Sequence, residues 1–288
     1  MSVKQILDNK TKPCVSFELF PARDEKAAKR QDKAIQGMLN LKPDFMSVTF
    51  GAGGSTRDGS YELVKKLKSL NGPEVVAYVS AYGLDPAVID SVVQSYVDIN
   101  VGTIFCIRGD KPSRPDFVKH PESLDYASDL LSHIGSRFEV CKGAAGYPEG
   151  HKDAANLDKD IEFVKRKVDC GADFIISQYF YDNDYFFRFV DKCHAAGVNV
   201  PILAGVMPIY TVNMMRNLAE TCGASITQEL EDGLGKIDTA DSKAVAAFGI
   251  DFLAPKCREL VEKGVDGLHF YTMNKSKSVA SILGQLNI

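Results

Sequence analysis

Eight short apolar runs, each followed by a longer amphipathic stretch, constrain this chain more than any other feature. The runs are 15–20 VSFELF, 45–49 FMSVT, 75–79 VVAYV, 103–107 TIFCI, 138–145 FEVCKGAA, 174–179 FIISQY, 201–206 PILAGV and 267–271 GLHFY. Between them lie helical patterns such as 59–69 GSYELVKKLKS, 158–169 DKDIEFVKRKVD and 183–196 NDYFFRFVDKCHAA. Gly171 and Gly197 stand where those helices should end, because glycine adopts the left-handed backbone of a helix stop without strain. Strands that alternate with helices pair in parallel, since each crossover carries the chain back to the same end of the sheet. Eight such units fit an α/β fold, the (β/α)8 TIM barrel of typically ~250 residues. The stretch between runs seven and eight exceeds one helix, which predicts an extra helical segment near 225–235, before the last strand. No composition shift or Pro/Ser linker interrupts the chain, so residues 1–288 are expected to form one domain. A doubly wound open sheet is the other arrangement, but it needs a strand-order reversal that the pattern does not show.

Composition narrows the function classes. A net charge of −4, with no long basic run, argues against a nucleic-acid partner. Seven cysteines are scattered without a C-x-x-C pair, which favours free thiols in a reducing cytoplasm and gives no zinc pattern. The segment MSVKQILDNKTKP has no signal-peptide core, and no apolar run is long enough to span a bilayer. Asn274-Lys275-Ser276 matches a glycosylation sequon, which carries no weight in a cytoplasmic chain.

In a barrel of this kind the chemistry gathers at the C-terminal ends of the strands. Glu18 lies near the end of run one, among Val15, Phe17, Leu19 and Phe20, where a charge costs several kcal/mol unless it is paired or used. Thr49 ends run two and leads into GAGGSTRD, Arg108-Gly109-Asp110 follows run four, and Gln178 ends run six. Each feature also has an ordinary structural reading. Glu18 could sit in an ion pair. GAGGSTRD could be a turn with Ser55 and Asp58 as a capping box, although its glycines also let backbone N–H groups approach an anion. Arg108-Gly109-Asp110 could be a turn with a local salt bridge. Gln178 could satisfy strand-end backbone groups. His151 reads as a surface loop residue and Lys142 as an outward-facing side chain. The H-E-x-x-H, Walker A and G-x-S-x-G patterns are absent. Periodicity alone stops at a barrel enzyme of unknown reaction.

Eight segments together go further. VSFELFP, MSVTFGAGGSTRD, IRGDKP, YASDL, AAGYPEGH, VKRKVDCGADFIISQYFYD, PILAGVMPI and LHFYTMN run in one order over nearly the whole chain. In that order the sequence resembles the 5,10-methylenetetrahydrofolate reductases, at the length of the bacterial form, a catalytic barrel without a regulatory domain. The resemblance implies non-covalent FAD, NAD(P)H as electron donor, and reduction of methylenetetrahydrofolate to 5-methyltetrahydrofolate, a step of one-carbon metabolism. It implies that Glu18 is the acid that opens the folate ring, and that Asp110 lies by flavin and pterin, binding folate and tuning the flavin. It places Gln178 on folate and nicotinamide, and Lys275 on folate. For FAD the matched residues are Thr49, Arg108, Gly109, Asp110, Tyr126, Ala127, Tyr147, His151, Asp160 and Lys167; no metal is implied. Asp160 and Lys167 lie two helical turns apart, so both can face one side.

The chain departs from the family pattern at five places. Tyr78 replaces a frequent His in strand three, Phe163 a frequent Asn after the flavin-binding Asp, and Val212 a stacking Phe. Lys275 replaces an Arg, keeping charge but losing the fork, and Ala22 replaces the second Pro of FPP. A flavin-free reductase, a partner-driven reductase subunit and a pterin-binding methyltransferase barrel remain as alternatives. The chain could also form a homo-oligomer.

Overall fold

The eight runs become eight parallel strands that close on themselves in sequence order, with β8 hydrogen-bonded to β1. In this computed structural model residues 1–51, 57–111, 117–286 and 288 are described. The strands are β1 (Cys14–Leu19), β2 (Phe45–Val48), β3 (Glu74–Ser80), β4 (Thr103–Ile107), β5 (Cys141–Gly146), β6 (Phe174–Tyr179), β7 (Ile202–Val206) and β8 (Gly267–Tyr271). The helices are α1 (Val3–Asp8), α2 (Glu25–Leu39), α3 (Arg57–Ser69), α4 (Pro86–Asp98), α5 (Ala127–Gly135), α6 (Leu157–Asp169), α7 (Asn183–Ala195), α8 (Val212–Cys222), α9 (Gln228–Leu234), α10 (Ser242–Glu262) and α11 (Lys277–Leu283). The fold is a (β/α)8 TIM barrel, and α9 is the extra segment expected before the last strand.

Local chemistry sets the boundaries. Asn156 accepts a hydrogen bond from the Lys159 N–H at the start of α6, and Asp182 does the same for Asp184 at α7. Gly171 and Gly197 follow the C-caps of these helices with φ of 97° and 79°. The fifth strand begins later than its apolar run suggests. Phe138 donates its N–H to the Ile134 carbonyl at 2.9 Å, so 136–139 finish the turn off α5 before β5 starts. Lys142 is half-buried, its ammonium near Gly135 and Gly171 on the outer side of β5, as alternation requires. Helix α1 has no counterpart in the sequence reading. It buries Val3 and Leu7, and the Val3 N–H donates to Thr103 Oγ1 at 3.1 Å. The capping box at Ser55 and the glycines of 52–56 lie outside the described residues.

Aromatic rings fill the middle of the barrel. Phe45 stacks on His269 at 5.9 Å and meets Phe174 at 6.3 Å, and Phe174 meets Phe105 at 6.1 Å. Gly143 sits between Phe105 and Phe174 in the ladder, where a Cβ would overlap both rings. Each buried ring contributes roughly 1.5–3 kcal/mol. The plug also sets a level. Two residues further along their strands, Glu18 stands above Ser16, Ser47 above Phe45 and Tyr271 above His269, because alternate residues of a strand share a face. Glu18 is therefore on the floor of the barrel mouth.

Candidate active site

Glu18 pairs in the ladder with Ser47 on one side and Tyr271 on the other. Among the described residues no ammonium or guanidinium acts on its carboxyl, so the ion-pair reading does not hold. Burial pushes its pKa from 4.5 up to about 7, and the nearby Tyr78 hydroxyl works the other way by favouring the anion. Tyr78 is buried on β3 and stacks on Phe105 at 4.5 Å. The Tyr271 hydroxyl donates to the Ser177 carbonyl at 2.8 Å, so its proton points away from the carboxylate.

The loop after β8 clamps the end of β1. Thr272 Oγ1 donates to the Glu18 carbonyl at 2.6 Å, and the Asn274 side chain bonds both backbone groups of Phe20, at 2.8 and 3.2 Å. Lys275 follows, its ammonium 4.2 Å from the Tyr210 ring centroid, and burial lowers its pKa. Thr49 lies at the end of β2, its N–H donating to Leu19 O at 2.9 Å and its carbonyl accepting from Ser60 Oγ at 2.7 Å.

A cavity of about 400 Å³ opens between the ends of β4 and β5 and helices α5 and α6. Arg108, Tyr126, Ala127, Tyr147, His151, Asp160 and Lys167 all line it, so seven residues singled out from the sequence are gathered in one place. Gly109 does not line it but sets the backbone beside Arg108. Its φ is +80°, and a Cβ there would overlap Ser80 Oγ. Arg108 does not pair with Asp110. It pairs with Asp153 at 3.0 Å, so the local salt bridge considered for this turn is absent. His151 is half-buried; its Nδ1 accepts the Asp153 N–H at 3.1 Å, and burial and then Arg108 lower its pKa.

Helix α6 buries Asp160, Ile161, Val164 and Lys167 on one stripe, as the two-turn spacing predicts. Lys167 donates to the Ala145 carbonyl and lies 5.8 Å from the Tyr147 ring centroid, which ties the helix to the rim. Burial lowers the Lys167 pKa and raises that of Asp160, while each charge opposes the effect on the other. Asp160 Oδ2 is buried without a hydrogen-bond partner among the described residues. Such an atom costs about 1–3 kcal/mol if it stays unpaired.

Asp110 is exposed at the rim; burial chiefly raises the pKa of both Tyr147 and Cys222, and the Asp110 charge adds a smaller push to each. Gln178 accepts the Tyr179 N–H at 3.0 Å and lines a small cleft with Tyr147 and Cys222. Val212 opens α8 and packs half-buried against the core.

Two features were missed from the sequence. Tyr78 stands out in the sequence only as a departure from the family pattern, although its parity with Val76 and Ser80 along β3 is the signal for a barrel-mouth residue. Arg166 lines the cavity with Asp153; its place on α6, one position before Lys167, was the available signal.

A family model described as methylenetetrahydrofolate reductase matches residues 2–287. The chain is 33% identical over 285 residues to "Methylenetetrahydrofolate reductase (NADH) 1" of Arabidopsis thaliana, covering 95% of this chain and 48% of that protein. It is 31% identical over 277 residues to "5,10-methylenetetrahydrofolate reductase" of Escherichia coli K12, covering 95% of this chain and 90% of that one. The chain thus spans about half the length of its plant and fungal relatives. Among solved structures, an uncharacterized protein from Clostridium thermocellum that binds two copies of 5-methyl-5,6,7,8-tetrahydrofolic acid is similar with a TM-score of 0.66. Its sequence identity is 17%, over 98% of this chain and 96% of that one, so the likeness is one of fold.

Proposed function

The chain belongs to the methylenetetrahydrofolate reductase family, and from that premise we propose that it reduces 5,10-methylenetetrahydrofolate to 5-methyltetrahydrofolate with non-covalent FAD and NAD(P)H. The observation that carries the reading is Glu18, a carboxyl on the floor of the barrel mouth with no facing cation among the described residues and a pKa of about 7. Near neutral pH a carboxyl at that value is in its acid form for roughly half the time, against about 0.3% at 4.5.

The lining of the α5/α6 cavity fits FAD. Arg108, Arg166 and Lys167 offer cations to a diphosphate, Asp160 Oδ2 awaits a hydroxyl donor, and Tyr126 and Tyr147 offer ring surface. Bound there, FAD would relay a hydride from the nicotinamide to the folate.

The chain's own residues do the rest. Methylenetetrahydrofolate is a closed ring and a poor hydride acceptor. Proton transfer from the Glu18 carboxyl to one ring nitrogen breaks that nitrogen's bond to the methylene carbon and leaves an iminium on the other nitrogen. A hydride added to that carbon completes the methyl group. Tyr78 holds the carboxylate that remains. Asp110 supplies a negative charge beside the reacting rings and orients the pterin, Gln178 orients folate and nicotinamide, and Lys275 offers a cation to the folate. Thr49 and Gly109 shape the rim. Residues 1–288 act as one catalytic unit.

The test is the visible spectrum of the purified chain, followed by stopped-flow measurement of the two half-reactions. A flavin band near one per chain, bleached by NAD(P)H and restored by methylenetetrahydrofolate, is expected. A colourless chain that still reduces methylenetetrahydrofolate would remove FAD from the reading. A chain that turns over neither substrate would remove the activity.

A further inference from the structure

Most aromatic side chains of this protein are buried, yet two among the described residues are well exposed, Tyr126 at 59% and Phe163 at 43%. Both line the same cavity. Exposed rings scattered singly need no explanation, but two that converge on one cavity do.

Their placement follows from matched spacing on neighbouring helices. Tyr126 is the N-cap of α5, and Asp129 lies three residues on, its carboxylate accepting the Tyr126 N–H at 3.1 Å. Phe163 is on α6, and Arg166 lies three residues on. Arg166 pairs with Asp129 at 3.5 Å and so bridges the two helices. The outer helices of such a barrel run in the same direction. One turn toward the N-terminus from that bridge, each helix therefore presents its ring beside the groove.

The rest of the cavity defines what lies between the rings. Arg108 and Lys167 are cations deeper in, toward the strand ends, and Asp160 Oδ2 is a buried acceptor without a partner. Cations, a hydroxyl acceptor and ring platforms together suit a nucleotide with a diphosphate. The redox ring has to reach the barrel mouth at Glu18, so the outer lip receives the other end. We propose that Phe163 and Tyr126 form the stacking platform for the adenine of the bound dinucleotide. Phe163 is then a determinant of cofactor affinity on the outer lip of the cavity. The proposal rests on the reading that the cavity takes FAD.

The experiment titrates the full chain, freed of flavin, with FAD, ADP and FMN by calorimetry, for wild type, Phe163→Ala and Phe163→Tyr. Stacking of a base on an aromatic side chain is worth enough that Phe163→Ala should weaken FAD and ADP about 10-fold or more. Phe163→Tyr should restore both. FMN has no adenine, so its affinity should not differ between wild type and Phe163→Ala. Equal FAD affinity in wild type and Phe163→Ala, or FMN weakened as much as FAD, would overturn the stacking role and leave the flavin reading standing. A wild-type chain that binds neither FAD nor ADP would overturn both.

Discussion

Replacing Glu18 by Gln separates its chemical role from any structural one. The amide keeps size and hydrogen-bonding reach but has no acidic proton. General acid catalysis is typically worth 10²–10⁴-fold, so the folate half-reaction should slow by about that factor. Reduction of the flavin by NAD(P)H needs no such proton and should change by no more than a few-fold. Stability gives an independent reading. The folded carboxyl has a pKa of about 7 against an ordinary 4.5, so the folded state holds the proton more tightly than the unfolded state does. The resulting stability is fully present below 4.5 and is lost as pH rises through about 7. At about 1.4 kcal/mol per pH unit the difference is at most about 3 kcal/mol, since the half-buried side chain keeps some contact with water. That cost is comparable to what one ring of the barrel plug contributes, so the fold can carry it. Glu18→Gln removes the ionisation. The variant should match wild type near pH 4 and exceed it by up to about 3 kcal/mol at about pH 8, read as denaturant unfolding at both values. Wild-type rates of methylenetetrahydrofolate reduction in the variant would refute the acid role. A variant less stable than wild type at alkaline pH would refute the uncompensated carboxyl.

Three further outcomes follow from the same geometry. Tyr78→Phe removes a hydroxyl that favours the Glu18 anion, so the alkaline limb of the folate half-reaction should move to higher pH; a limb that stays in place or moves down would show that the hydroxyl does not act on Glu18. Gly109→Ala forces a Cβ onto a backbone at φ +80° and against Ser80 Oγ, which should cost about 1–2 kcal/mol or more in denaturant unfolding; wild-type stability would contradict the turn geometry. Asp110→Asn removes the rim charge near Tyr147, and loss of the proposed contact to the pterin should weaken folate binding roughly 10-fold while NAD(P)H reduction changes little; an unchanged folate affinity and flavin midpoint potential would leave Asp110 as a turn residue.

The barrel and much of the lining of the α5/α6 cavity were legible in the sequence. Strand and helix periods repeat along the chain, so eight runs and the helices between them could be counted without any contact being known. The pairing of Asp160 with Lys167 on one face of α6 was legible for the same reason, because two helical turns bring them into line within one element. The stops at Gly171 and Gly197 were legible because backbone conformation there is a property of one residue. Start points were less so: β5 begins three residues late because α5 uses the Phe138 N–H for its own closure. Family resemblance named Glu18, but only the tertiary structure showed that no cation among the described residues acts on it and that Tyr78 does. It also decided that Arg108 pairs with Asp153 instead of Asp110, and that Tyr126 and Phe163 share one cavity. These relations depend on the register of hydrogen-bonded strands and on how each helix seats against its neighbour. Side chains 60 residues apart along β1 and β3, or 37 apart across α5 and α6, meet only once the ladder closes. Periodicity sets which face a residue occupies, whereas ring closure sets what stands opposite it.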